Sequence, residues 1–174
     1  MNEIIKSMIE RRSCRAYKEE MIKDEELDLI LEAGEWAASG KGMQATVMVS
    51  VQDPQLVKKL SKMNAEVLGT DSDPFYGAPM VVVVFANKSV RPTYVEDGSL
   101  VLGNMMLAAS SLGIGSCWIH RAKEVFESEE GKKLKKEWGL SDDYVGIGHV
   151  VLGYPSAPLP KGQPRKEGRI IKIH

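Results

Sequence analysis

A chain of 174 residues, 43% hydrophobic and 27% charged, is long enough to bury a substantial core as one soluble domain. Its formal net charge of −1 excludes a general nucleic-acid binder, which carries a basic excess, and its apolar runs are too short to span a bilayer. Cys14 and Cys117 show neither Cys-x-x-Cys nor metal-ligand spacing, and His120, His149 and His174 are scattered. Reduced thiols, no metal site and a cytoplasmic location are therefore expected.

Ile4, Ile5, Met8 and Ile9 recur at helical spacing and predict an opening amphipathic helix that ends near Glu10. Arg11-Arg12-Ser13-Cys14-Arg15 follows at once, with three guanidinium groups and a hydroxyl in five residues. Guanidinium forks suit phosphate, while cations after a helix C-terminus also complement its dipole and stay solvated. These five residues alone leave both readings open.

Asp24, Glu25 and Glu26 load the first turn of a second helix, whose stripe of Leu27, Ile30, Leu31 and Gly34 runs out near Ala38. Ser39-Gly40-Lys41-Gly42 is a loop whose glycines permit close backbone approach. Thr46 to Val51 is β-branched and predicts a strand. Asp53-Pro54 caps and opens a third helix carrying Leu56, Val57, Leu60 and Met63. A polar loop from Gly69 to Pro79 carries Phe75 and Tyr76 near its end, and the apolar run Met80–Ala86 predicts a strand covered on both faces.

The longest helix is predicted from about Tyr94 to Leu112, apolar around most of its circumference and placed at the centre of the core or at an interface. Ser116–Ile119 predicts a strand, Glu124–Trp138 a helix, and Tyr144–Gly153 another strand. Pro155–Gly168, with four prolines, predicts irregular chain, and Arg169–Ile173 alternates Ile with charge as an edge strand does. The order predicts an α+β fold, a mixed central sheet with helices on both faces. One domain spanning 1–174 is expected, with 155–174 an arm reaching a second copy in a homodimer.

No Gly-x-Ser-x-Gly, His-Glu-x-x-His, phosphate-binding P-loop or Gly-x-Gly-x-x-Gly after a strand is present. Gly113-Ile114-Gly115 ends a helix and is a turn. A chain without an evident acid, base or nucleophile leaves its chemistry to a cofactor if it is an enzyme.

Arg11-Arg12-Ser13-Cys14-Arg15-Ala16-Tyr17 resembles the opening motif of the FMN-dependent nitroreductase family, short members in particular. Ser39-Gly40-Lys41-Gly42-Met43-Gln44 is similar to that family's second flavin loop. Gly77-Ala78-Pro79, Asn104 with Leu107-Ala108-Ala109, Leu112 to Ile119, Gly148 to Pro155 and Arg165 continue the likeness in the family's order. No single piece is specific; the ordered set is.

The resemblance implies FMN as cofactor, NADH or NADPH as donor, and a small acceptor of nitroaromatic or quinone type reduced by ping-pong turnover. Arg11, Arg12, Ser13 and Arg165 would hold the phosphate and its ribityl neighbourhood, and Arg15 the pyrimidine edge of the ring. Asn64 would offer its amide to the same edge. Trp118, Ile119, His120 and Arg121 would line the ring, mainly through backbone N–H groups. Ala38, Ser39, Gly40 and Gly42 would come from the second subunit, and no catalytic side chain is implied.

The chain departs from the family pattern at Gly42, where Asn is frequent, and at Ala45-Thr46, where Pro-Trp is common. His120-Arg121 replaces acidic or Gly residues, and the helical insert of larger members is missing. An FMN carrier or redox sensor without reductase turnover is the alternative, and an FMN enzyme of specific metabolism a third reading.

Overall fold

The computed structural model describes residues 1–174. Its centre is β2 (Met80–Asn87), in which every residue from Met80 to Ala86 is fully or nearly fully buried. β2 lies between β1 (Thr46–Val51) and β4 (Tyr144–Gly153), and β3 (Gly115–Ile119) closes the order β1-β2-β4-β3. A strand with neighbours on both edges and helices on both faces must be apolar throughout, which is why the valine run reads as it does.

Side chains alternate between the two faces of the sheet. Val81, Val83 and Phe85 pack with α3 (Pro54–Leu68), α5 (Ala122–Glu127) and α6 (Glu129–Glu137), through Leu60, Phe126 and Leu134 among others. Val82, Val84 and Ala86 pack on the other face with α2 (Asp24–Glu35) and α4 (Tyr94–Ser111), through Ile30, Leu102 and Met105. α1 (Glu3–Glu10) buries none of its residues, and Ile4, Ile5, Met8 and Ile9 are all exposed.

The helices expected on both faces are present, and the strand pairs are all antiparallel. The parallel component of the expected mixed sheet is one isolated bridge, Ser13 to Ser116. The helix expected over Glu124–Trp138 is two helices. Ser128 is extended at ψ 159°, and its hydroxyl accepts from the Gly131 N–H at 3.1 Å to start α6. The expected edge strand over Arg169–Ile173 does not form: these residues are coil, and Ile170, Ile171 and Ile173 are exposed. An edge strand exists only where a neighbour completes its ladder, and within one chain none is offered. α2 stops at Glu35, three residues before the expected Ala38. No helix is long and apolar enough to cross a membrane.

Candidate flavin site on the outer edge of β3

The arginine cluster is fastened to the sheet. The Cys14 N–H donates to the Ser116 carbonyl at 2.9 Å, so Ser13 and Cys14 run along the edge of β3 that β4 does not cover. Arg12 serves the helix-end reading in part: its Nη1 donates to the carbonyls of Ile9 and Arg11 at 2.6 and 2.7 Å. Its Nε, however, and Nη1 of Arg11 are buried without a partner. Buried charged donors left unpaired are costly, so this corner suits an anion. The tail crosses here too, since a Cβ on Gly162 would stand 1.9 Å from Nη2 of Arg12. Ser13, Arg11 and Arg15 all lie near the Cys117 thiol. Burial pushes that thiol up, against the opposing pull of the Arg15 charge.

Arg15 is held from the far side. Its guanidinium carbon lies 5.8 Å from the centroid of the Tyr76 ring, within cation–π range. Tyr76 adopts φ 57°, a left-handed conformation costly for a residue with a Cβ. Asp73 enforces it: its carboxylate accepts from the Phe75 N–H at 2.8 Å, the Gly77 N–H at 2.6 Å, and the Ser61 hydroxyl. Asp73 was missing from the expected site residues because an Asp in a Gly/Pro-rich loop reads as an ordinary turn former.

Further along the same edge come Trp118, Ile119, His120 and Arg121. The Ser116 carbonyl points to the open edge, so strand alternation turns the backbone groups of Trp118 to that edge as well. The Trp118 indole lies against Gly148, where a Cβ would stand 2.7 Å from its Nε1. Arg121 is left-handed at φ 73° and begins α5. Asn64 is fully buried within α3. Its Nδ2 donates to the His120 carbonyl at 2.7 Å, and its Oδ1 accepts from Nε of Arg121 at 3.0 Å. Asn64 was expected to offer its amide to the ring; within this chain that amide is buried and bonded to His120 and Arg121.

Below this corner His149 is buried between Phe75 and Phe126, with ring centroids 5.4 and 6.0 Å away. The ring lies toward the carbonyls of Ile119 and His120, yet neither nitrogen makes a well-formed hydrogen bond. Burial holds its pKa down at about 4, so the ring is neutral.

The loop of Ala38, Ser39, Gly40 and Gly42 is elsewhere. The Gly40 N–H donates at 3.0 Å to Asp97, a buried carboxylate near the start of α4, and a Cβ on Gly40 would meet Thr93 and Arg91. Ser13 and Ser116 lie past the other end of α4, on the order of 20 Å away along the helix. One chain therefore does not bring this loop to the arginine cluster. Arg91, whose Nε is also buried and unpartnered, and Asp97 were both absent from the sequence expectations. Asp97 looks like a routine first-turn acid. Arg165 is exposed and makes no hydrogen bond or ion pair within the chain.

A cleft of about 740 Å³ between α3 and the 70–79 loop is lined by Lys58, Lys62, Asp71 and Asp73 among others, but by none of the arginines. Unpaired buried donors favour the β3 edge over this cleft.

A family model described as the nitroreductase family matches residues 8–73 and 68–154. A protein of Archaeoglobus fulgidus, provisionally named an NADH dehydrogenase/NAD(P)H nitroreductase, is 35% identical over 158 residues, 89% of this chain and 87% of its own. A nitroreductase crystal structure with bound FMN from Bacteroides fragilis superposes with a TM-score of 0.91 at 28% identity, covering 100% of both chains. One from Desulfitobacterium hafniense, also with FMN, gives 0.88 at 28% identity with the same coverage. The alternating two-faced core, the arginine cluster on the β3 edge and these likenesses lead to one assignment: this chain belongs to the nitroreductase family.

Proposed function

We propose that this protein is a flavin-dependent NAD(P)H oxidoreductase that holds FMN along the outer edge of β3 and works as a homodimer. The observation that carries this reading is the pair of buried, unpartnered guanidinium nitrogens, Nη1 of Arg11 and Nε of Arg12. A phosphate dianion supplies the acceptors these nitrogens lack, and guanidinium is the donor best matched to it. The residues present fit FMN in that respect.

Bound FMN supplies the two-electron chemistry, a hydride accepted from NAD(P)H and electrons passed to a small acceptor of nitroaromatic or quinone type in ping-pong order. The chain's own work is binding, orientation and electrostatics. Arg11, Arg12 and Ser13 anchor the phosphate end, with Arg165 joining from the tail. Arg15, steadied by Tyr76, keeps a fixed positive charge beside the site, which favours electron-rich states of a ligand. Backbone donors of the Trp118–Arg121 stretch that do not face β4 orient the ring.

Dimerisation is part of the proposal. Ile4, Ile5, Met8 and Ile9 form an exposed apolar face on α1, and Trp36 is exposed just past the end of α2. A second copy bringing Ala38, Ser39, Gly40 and Gly42 to the arginines covers such surface and completes the site. The 155–174 tail, held to its own chain at Pro155, Ser156 and Gly162, reaches the partner with its remaining residues.

The test starts from an absorbance scan of the purified protein, followed by identification of any released cofactor. FMN bands that bleach with NAD(P)H and return on adding a quinone support the reading. A colourless protein that fails to take up FMN overturns it, and bleaching without acceptor turnover replaces the reductase with a carrier.

A further inference from the structure

The corner between β3 and α5 is held by one side chain from a distant helix. Asn64 uses its donor on the His120 carbonyl and its acceptor on the Arg121 side chain, at 2.7 and 3.0 Å. A trans peptide is planar, with its carbonyl and N–H pointing in opposite directions. No peptide in this chain is cis. With the His120 carbonyl drawn in to Asn64, the N–H of Arg121 faces away from it. That N–H donates to nothing within the chain.

Two further features show that this orientation is enforced. Arg121 sits at φ 73°, a conformation that a residue with a Cβ avoids unless its surroundings impose it. The amide that imposes it is itself fully buried in α3, so it has no solvent-exposed alternative. The freed donor lies two residues past the end of β3 and five residues after Ser116, where the arginine cluster is fastened.

We propose that Asn64 is a positioning residue. Its amide locks the His120–Arg121 peptide so that the Arg121 N–H is presented outward as a donor to the polar edge of the flavin ring. The inference rests on the FMN reading. It differs from the family resemblance in giving Asn64 no contact with the cofactor. The change Asn64→Asp keeps an acceptor for Arg121 but sets carboxylate oxygen against the His120 carbonyl, which favours turning the peptide over.

The test begins with wild-type protein, because absence of FMN binding there defeats the FMN reading and not the lock. Given binding, hydrogen exchange at the Arg121 amide is followed with and without FMN. Slowing by about tenfold or more on binding is expected for a donor taken up by the ring. Asn64→Asp is expected to weaken FMN binding about tenfold and to shift the midpoint potential of the bound flavin, while affinity for inorganic phosphate stays unchanged. An Arg121 amide whose exchange ignores FMN overturns the proposal, even if the variant does not fold. So does a folded Asn64→Asp protein with wild-type FMN affinity and potential.

Discussion

The guanidinium of Arg15 stands over the ring of Tyr76, 5.8 Å from its centroid, and Tyr76 reaches that position only through a left-handed backbone at φ 57°. The Asp73 knot supplies the constraint that makes this conformation persist. Tyr76→Gly and Tyr76→Ala both remove the ring, but only glycine occupies this region freely. Tyr76→Gly is therefore expected to be more stable than Tyr76→Ala by about 1 kcal/mol in urea denaturation. Equal stabilities would mean that the left-handed cost is not carried by the wild type.

Arg15→Leu removes a fixed positive charge beside the site. The expected result is a lower midpoint potential for bound FMN with a smaller effect on FMN affinity, since Arg11 and Arg12 still hold the phosphate. Spectroelectrochemical titration of the two proteins decides this, and identical potentials would take Arg15 out of the role.

Arg11→Ala deletes a buried donor that has no partner in the chain. FMN affinity is expected to fall by roughly tenfold to a hundredfold, the range of a charge-assisted hydrogen bond. The gap between wild type and variant should widen as salt is lowered. Fluorescence titration at two ionic strengths reads both effects.

His149 makes stability depend on pH below neutrality. Its folded pKa of about 4 lies below the ordinary 6.5, so between these values the unfolded chain binds the extra proton. Stability from this group is complete above pH 6.5 and falls as pH drops toward 4, by about 3 kcal/mol in all. His149→Leu is expected to flatten that part of the profile, as read by urea midpoints from pH 7 to pH 4. An unchanged slope would show that the acid sensitivity lies elsewhere.

Gly131 lies where α6 passes the end of α5. A Cβ there would stand 2.1 Å from the Val125 carbonyl oxygen and 2.6 Å from the Phe126 Cα, both backbone atoms that cannot rotate aside. Gly131→Ala is expected to cost about 3 kcal/mol or more, measured as a lowered thermal midpoint.

What the sequence by itself determined is local. The period of Leu27, Ile30 and Gly34, the Asp53-Pro54 cap and the valine run of β2 set helices and strands through interactions that reach only a few residues along the chain. The arginine cluster and the ordered motifs were legible for the same reason, because their residues are neighbours in sequence. Tertiary structure alone decided the partners. Asn64 and His120 are 56 residues apart, Gly40 and Asp97 are 57, and each hydrogen bond depends on how helices pack across the sheet. Nothing local in Asn64 distinguishes a ligand-facing amide from a buried clamp. The same limit explains the missing strand at Arg169–Ile173: alternation describes a strand's two faces, but a ladder exists only where another backbone lies alongside.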